Sequence, residues 1–226
     1  MKAAALLDDV LAARNRIGRP AATTWRGSLL GSCIRRQVYE ARGVTATNPP
    51  DARTLRVFQR GHVVGEMLTE LLTEHPDVLF AVFEVDLLWA ARDFSGHPDV
   101  LIWFKDGHVE LWEVKSTHSQ GFRYLGDTAK ADHEIQAAAY AEVLAAVYDI
   151  QVYVTKVVYV SADDWRMAEF PVPEGRRGDV RRILTALDYY HSRGRLPPRL
   201  RFGPGLDPRK RFPCSYCPFL DACRPA

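Results

Sequence analysis

Hydrophobic and polar positions follow two periods along this chain, which divide it into helical and extended segments. Apolar residues recur at helical spacing over residues 4–16, 28–42, 54–74, 132–148 and 178–191. Shorter runs rich in β-branched and aromatic residues predict strands over residues 78–89, 98–104, 109–115, 151–160 and 166–172. The predicted order is therefore a group of helices, three strands, a helix, two more strands and a last helix.

The fold class follows from the predicted strands over 98–104 and 109–115, which are apolar on both faces. Such strands lie in a sheet that other elements cover on two sides. The chain has 226 residues, enough for one domain with its own core or for one domain with a small attached lobe. We therefore predict an α/β core in which helices flank a mixed central sheet.

Composition narrows the class of protein further. Hydrophobic residues make up 47% of the chain and charged residues 26%, which is usual for a folded domain and excludes disorder along most of its length. No apolar run is long enough to span a bilayer, and residues 4–16 look like a short amphipathic helix rather than a signal peptide. We expect a cytoplasmic protein without membrane contact, in which the four cysteines do not form disulfides.

Charge is distributed unevenly, although the formal net charge is only +2. Arginines crowd the last quarter of the chain, and a second group lies near its start. If the two ends meet in space, we expect one basic surface suited to a phosphate backbone. Scattered, solvated arginines are the alternative.

Candidate catalytic residues lie on the two apolar strands. Asp99 is the second residue of the first, and Glu113 and Lys115 share one face of the second because they are two residues apart. A three-residue loop over 105–107, with Gly107 in the left-handed region, would place Asp99 directly opposite Glu113. A two-residue turn would shift the register by one and turn Asp99 away.

Two adjacent carboxylates repel each other unless a cation lies between them. Mg²⁺ and Mn²⁺ are hard ions that prefer oxygen ligands, and the backbone carbonyl of Val114 could add one. Such an ion polarises a phosphodiester and activates water, while Lys115 would orient that water and neutralise charge on the phosphate. A surface ion pair is the alternative, but strands this apolar rarely expose a charged triad.

The Gly-His-Pro-Asp motif at 96–99 and the Glu-Val-Lys motif at 113–115 resemble the PD-(D/E)XK nuclease superfamily in its RecB-like branch. The resemblance implies a restriction-endonuclease-like core and a histidine ligand on the preceding helix, which matches His62. It also implies a Gln-x-x-x-Tyr pair on the helix after the active strands, which matches Gln136 and Tyr140. In that branch the pair supports the catalytic lysine or touches DNA.

The cysteines divide into Cys33 upstream and a cluster of Cys214, Cys217 and Cys223. Four thiolates can hold zinc or an iron–sulfur cluster, and spacing alone does not decide between the two. The division into one plus three resembles AddB-type and CRISPR-associated Cas-four-type exonucleases, which implies a 4Fe-4S cluster that joins the N- and C-terminal segments. The chain departs from that pattern at Ile34, where the family often has proline.

These resemblances imply three regions: an N-terminal helical segment over 1–53 that contributes Cys33, a nuclease core over 54–192, and a basic tail over 193–226 with the cysteine cluster. They imply a metal-dependent exonuclease acting on single-stranded DNA or DNA ends, in recombination, repair or CRISPR spacer processing. CRISPR integrase or recombination proteins would be its partners. The alternative function is a DNA-end-binding module of a CRISPR adaptation complex with slow or partner-dependent cleavage.

Overall fold

The computed structural model describes residues 3–17 and 24–224. Its helices are α1 Ala3–Ile17, α2 Gly27–Leu30, α3 Ile34–Ala41, α4 Ala52–Thr73, α5 Ser119–Arg123, α6 Ala131–Tyr148, α7 Arg176–Ser192 and α8 Leu220–Cys223. Its strands are β1 Trp25–Arg26, β2 Val78–Phe83, β3 Leu87–Trp89, β4 Phe94–Gly96, β5 Val100–Phe104, β6 Val109–Thr117, β7 Val154–Ser161 and β8 Met167–Pro171. No helix among the described residues is both long and apolar enough to cross a membrane.

The main sheet has five strands in the order β2-β5-β6-β7-β8. β6 and β7 pair in parallel and every other neighbouring pair is antiparallel, so the expectation of a mixed sheet is confirmed. A parallel pair needs a crossover connection, and the segment containing α6 provides it. The edge strand expected near 166–172 is present as β8.

Helices cover both faces of this sheet, as the apolar strands predicted. One face of β5 and β6, including Leu101 and Leu111, packs against the alanine-rich side of α6 and against α7. The other face, including Ile102 and Val114, packs against Val64 of α4. Odd-numbered residues of the hairpin therefore face α6, and even-numbered residues face α4.

Two predicted elements are divided in the structure. The strand expected over 78–89 ends at Phe83, because Glu84 adopts a left-handed backbone with φ 49°, and the chain resumes as β3 in a second sheet of order β1-β4-β3. The helix expected over 28–42 is interrupted before Cys33. At that interruption Gly31 lies directly against the backbone of Asp132, where a side chain would overlap with it.

The segments near the two ends of the described chain meet. The backbone N–H groups of Thr47 and Asn48 donate to the carbonyl of Pro218 at 2.8 and 2.9 Å. The ring of Tyr39 in α3 packs against that of Phe219 at 5.6 Å between centroids. The division into regions at 53/54 and 192/193 stays a prediction.

Candidate active site

The β5–β6 hairpin has the register that the three-residue loop predicted. Trp103 pairs with Val109 and Val100 pairs with Trp112. The N–H of Phe104 donates to the carbonyl of His108 at 3.0 Å, and Gly107 has φ 93°. Continued by one residue beyond Val100, this register places Asp99 opposite Glu113.

Asp99 and Glu113 form a close carboxylate pair on the α6 side of the sheet. Asp99 Oδ2 accepts a hydrogen bond of 2.8 Å from the N–H of Val114. Glu113 is fully buried. Burial, followed by the charge of Asp99, raises the pKa of Glu113 well above its usual range. Burial also raises the pKa of Asp99, and the pair therefore holds its negative charge at a cost in free energy.

Lys115 balances part of that charge. Its Nζ lies 2.5 Å from Glu113 Oε1 and 3.3 Å from Gln136 Oε1. Burial lowers the pKa of Lys115, but the carboxylates of Glu113 and Asp99 outweigh that effect and raise it above its ordinary value. Lys115 is consequently a cation at neutral pH and can act on an anion by its charge rather than as a base.

Gln136 and Tyr140 extend this hydrogen-bonded chain along α6. Gln136 Nε2 donates to Tyr140 Oη at 3.2 Å, as the i,i+4 spacing on one helical face allows. Burial, with the charges of Glu113 and Asp99, raises the pKa of Tyr140 well above its usual range, so its hydroxyl stays protonated. Gln136, held by Tyr140, thus contacts Lys115 and positions its ammonium group.

The Tyr140 ring is held between two glycines. A side chain at Gly27 or at Gly96 would overlap with the same ring carbon, Cε1. Tyr140 is 1% exposed, so its ring is surrounded by other residues. The glycine before His97 therefore permits the close approach of β4 to the helix that carries Gln136.

Replacing Gly96 by alanine is expected to destabilise the protein and weaken the site together. Overpacking of this kind costs about 1–3 kcal/mol, and the displaced Tyr140 would release Gln136 from Lys115. Thermal unfolding should show the loss of stability, and the DNA cleavage that the family resemblance implies should fall roughly tenfold or more, as for other supporting contacts. Gly126→Ala is the control, since a side chain there meets open space; equal melting temperatures for both variants would contradict the expectation.

His62 lies on α4, the helix that covers the opposite face of the sheet. Its Nδ1 is 3.3 Å from Glu84 Oε1, and its ring packs edge-on against Phe83 at 4.9 Å. The N–H of Glu84 donates to the carbonyl of Asp99 at 3.3 Å, and the charge of Glu84 helps to raise the pKa of Asp99. His62 thus contacts Glu84, and among the described residues it is not grouped with Asp99 and Glu113 into a set of three ligands.

Sequence reasoning missed Glu84 because it lies inside an apolar run that predicts one strand. The two carboxylates in that run, Glu84 and Asp86, were the signal, but the sequence alone does not say which of them lies near the site. The structure adds two residues to the surroundings of Lys115: Tyr159 lies beside Lys115 in the β6–β7 register, and its hydroxyl is 2.9 Å from His133 Nδ1. Burial and the charge of Lys115 lower the pKa of His133 to about 3, so its imidazole is neutral.

The donor set at the carboxylate pair fits a hard divalent cation. When both groups are ionised, neither can donate to the other, and Glu113 Oε2 has no hydrogen-bond partner among the described residues. A cation would satisfy this oxygen and remove the repulsion. Within residues 3–17 and 24–224, no three His, Cys, Asp or Glu side chains are already grouped so that they could hold an ion.

The four cysteines line one common cavity between α3 and the C-terminal tail. The four thiols are free of disulfides in this structure. Burial raises the pKa of the Cys33 and Cys217 thiols, and the nearby cysteines add to the effect. Cys33 thus lies in one cavity with three cysteines that are 181 or more residues away in the sequence, although the four sulfurs are not already arranged around an ion.

Comparison with known proteins places this fold. The crystal structure of SSO0001 superposes with a TM-score of 0.59 at 17% identity, covering 99% of this chain and 97% of that one. The crystal structure of the alkaline exonuclease LHK-Exo from Laribacter hongkongensis gives a TM-score of 0.49 at 11% identity, covering 75% and 88%. No curated protein sequence matches the chain. The family model of the PD-(D/E)XK nuclease superfamily matches residues 7–224, and the chain therefore belongs to that superfamily.

Proposed function

We propose that this protein is a Mg²⁺- or Mn²⁺-dependent DNA exonuclease that acts on single-stranded DNA or DNA ends. The observation that carries the proposal is the hairpin register, which sets Asp99 against Glu113 with Lys115 on the same face. Asp99, Glu113 and the Val114 carbonyl would hold the ion, and His62 would join them by leaving Glu84. The bound ion would supply Lewis-acid polarisation of the phosphodiester and an activated water.

The protein's own residues supply the rest of the site. Lys115 stays protonated and would stabilise negative charge that develops on the phosphate. Gln136 contacts the Lys115 ammonium group, and Tyr140 holds Gln136 in place. The charged end of Lys115 is therefore positioned before DNA binds. His133, which hydrogen-bonds to Tyr159, is neutral and therefore adds no second positive charge near Lys115.

The experiment that tests this function uses end-labelled DNA. Purified protein should shorten single-stranded and blunt double-stranded substrates from an end with Mg²⁺ or Mn²⁺ and leave them intact in EDTA. Circular single-stranded DNA should persist much longer than the linear form. Metal-independent cleavage, or binding of ends with no cleavage in either metal, would refute the proposal, and the second result would favour the DNA-end-binding module.

We further propose that Cys33, Cys214, Cys217 and Cys223 hold a 4Fe-4S cluster. Their common cavity and their thiol chemistry support a metal group, and the choice of iron–sulfur over zinc comes from the family resemblance. The cluster would be structural, since it would join α3 to the tail. A role in recombination, repair or CRISPR spacer processing, with an integrase or recombination protein as partner, rests on the same resemblance.

The segment after β6 supports a preference for unpaired DNA. Phe122 is fixed to the protein, with Arg166 over its ring at 5.2 Å, and it packs with Tyr159 beside the catalytic strand. Tyr124 follows it and is 80% exposed, next to exposed Arg123. Of the two aromatics, Tyr124 is therefore the one free to stack on an unpaired base.

Tyr124→Ala is expected to weaken single-strand binding by roughly 5- to 100-fold, because stacking on one base is worth about 1–3 kcal/mol. Fluorescence anisotropy with labelled single-stranded and duplex oligonucleotides would show a larger loss for the single strand. The control is Tyr153→Ala, since Tyr153 is also 80% exposed but lies at the opposite end of β6. An equal effect of both substitutions would remove Tyr124 from the substrate path.

A further inference from the structure

The C-terminal tail forms a second site that the nuclease chemistry does not use. Residues 198–202, together with Leu206, Pro208 and Arg224, line an open cavity of about 470 Å³. That volume lies within the range of pockets that hold small molecules, about 300–1,000 Å³. The cavity is separate from the hairpin, since none of Asp99, Glu113 or Lys115 lines it.

The side chains that line this cavity include positive charges and no negative charge. Arg199, Arg201 and Arg224 contribute to the wall, and no carboxylate does. The nearest acidic side chains along the chain are engaged elsewhere: Asp207 accepts from the N–H of Arg209 at 2.9 Å, and Asp221 pairs with the Arg209 guanidinium at 2.8 Å. The cavity therefore attracts an anion.

The remaining wall is apolar and suits a flat ring. Phe202, Leu206 and Pro208 line it. The Arg224 guanidinium donates to the carbonyl of Leu200 and lies 5.9 Å from the centroid of the Phe202 ring. Arg224 is thus held by the protein, while Arg199 and Arg201 are exposed and free to reach a ligand.

We propose that this cavity binds one nucleotide unit, with its phosphate against the arginines and its base against Phe202. Arginine recognises phosphate through a planar fork of donors, and an aromatic side chain stacks on any base. The nucleotide belongs either to a DNA strand or to a free 5′-mononucleotide. If the nucleotide is part of a DNA strand, its binding here rests on the proposed nuclease function. Binding of a free mononucleotide does not depend on that function.

The test measures binding without cleavage, in full-length protein that carries Asp99→Asn, with a fluorescein-labelled oligothymidylate. Arg201→Gln should weaken binding roughly fivefold or more and reduce the slope of log Kd against log salt by about 0.7, the value for one phosphate contact to a single strand. Phe202→Leu should weaken binding at least about fivefold and leave the slope unchanged. Arg14→Gln, at an exposed arginine of α1, should change neither quantity.

Competition distinguishes the two sources of the nucleotide. If dAMP displaces the oligonucleotide, and if the Arg201 and Phe202 variants bind dAMP more weakly, the ligand is a free mononucleotide. If the two substitutions weaken binding of the oligonucleotide only, the ligand is a DNA strand. Thermal unfolding confirms that the variants fold. Binding equal to that of the Arg14→Gln control with both probes would overturn the site. Cleavage by the protein with native Asp99 is scored separately, so failure of either proposal is visible without the other.

Discussion

Asp99→Asn is expected to abolish DNA cleavage and, in metal-free buffer, to raise the melting temperature. An asparagine oxygen can still accept from the N–H of Val114, so the local backbone is kept. The substitution removes one of two charges that burial and mutual repulsion destabilise. Loss of a metal ligand removes several kcal/mol of transition-state stabilisation, or roughly 10³-fold in rate. A gain of about 1 kcal/mol in stability would raise the melting temperature by about 2–4 °C.

The gain in stability that we expect from Asp99→Asn should depend on pH. The pKa of Asp99 is raised in the folded protein, so the folded state binds this proton more tightly than the unfolded chain, whose aspartates titrate near about 3.9. The stability that the proton provides is present in acid and is lost as pH rises from about 4 through the raised pKa. The variant should lose less stability than the wild type over that rise.

Differential scanning calorimetry in EDTA, repeated with Mg²⁺, checks this expectation. Mg²⁺ should stabilise the wild type and have little effect on Asp99→Asn, because a ligand stabilises only the state that binds it. Asp77→Asn, at an exposed aspartate, is the matched control. A variant that melts below the wild type in EDTA, or that still cleaves DNA at the control rate, would contradict the assignment.

Cys33→Ser is expected to prevent binding of the proposed 4Fe-4S cluster and to remove a large part of the stability. Through that cluster Cys33 would link α3 to cysteines more than 180 residues away, and closing a loop of this length would restrict the unfolded chain by roughly 5 kcal/mol. At about 2–4 °C per kcal/mol, the melting temperature should fall by roughly 10–20 °C. The hydrogen bonds from Thr47 and Asn48 to Pro218 would remain, so the tail should loosen rather than unfold completely.

Metal analysis and absorption spectra of anaerobically purified protein check both the cluster and its identity. The wild type should contain iron and sulfide and absorb broadly near about 400 nm. Ser215→Ala changes an exposed residue within the same Cys-x-x-Cys motif and should behave as the wild type. A colourless wild type that contains zinc would replace the iron–sulfur proposal, and an unchanged Cys33→Ser melting temperature would remove the cysteines' structural role.

The sequence predicted the part of the site that depends on local rules. Lys105-Asp106-Gly107 suits a three-residue hairpin loop as well as a two-residue turn, and the structure has the three-residue register, which sets Asp99 against Glu113. The i,i+4 spacing of Gln136 and Tyr140 predicted their common face in the same way. The spacing of apolar positions along the chain likewise predicted the central sheet and the helices on its two faces.

The features that sequence reasoning missed depend on contacts between distant segments. Nothing near Gly31 in the sequence indicates that it lies against Asp132, so the break in the helix before Cys33 could not be foreseen. β1 has only two residues and exists because it pairs with β4, nearly seventy residues later. Glu84 was missed because its left-handed backbone interrupts a run whose composition favours one continuous strand.

The contact between residues 47–48 and Pro218 has a consequence for biosynthesis. Residues 214–224 are translated after every other described residue, and they provide the cover over Tyr39 and the partner for the amides at 47–48. A nascent chain that is stalled at residue 226 would hold these residues inside the exit tunnel after the hairpin and α6 had emerged. We expect stalled chains to be cut by protease near α3 and released chains to resist, so an equally resistant stalled chain would show that the tail is dispensable for this protection.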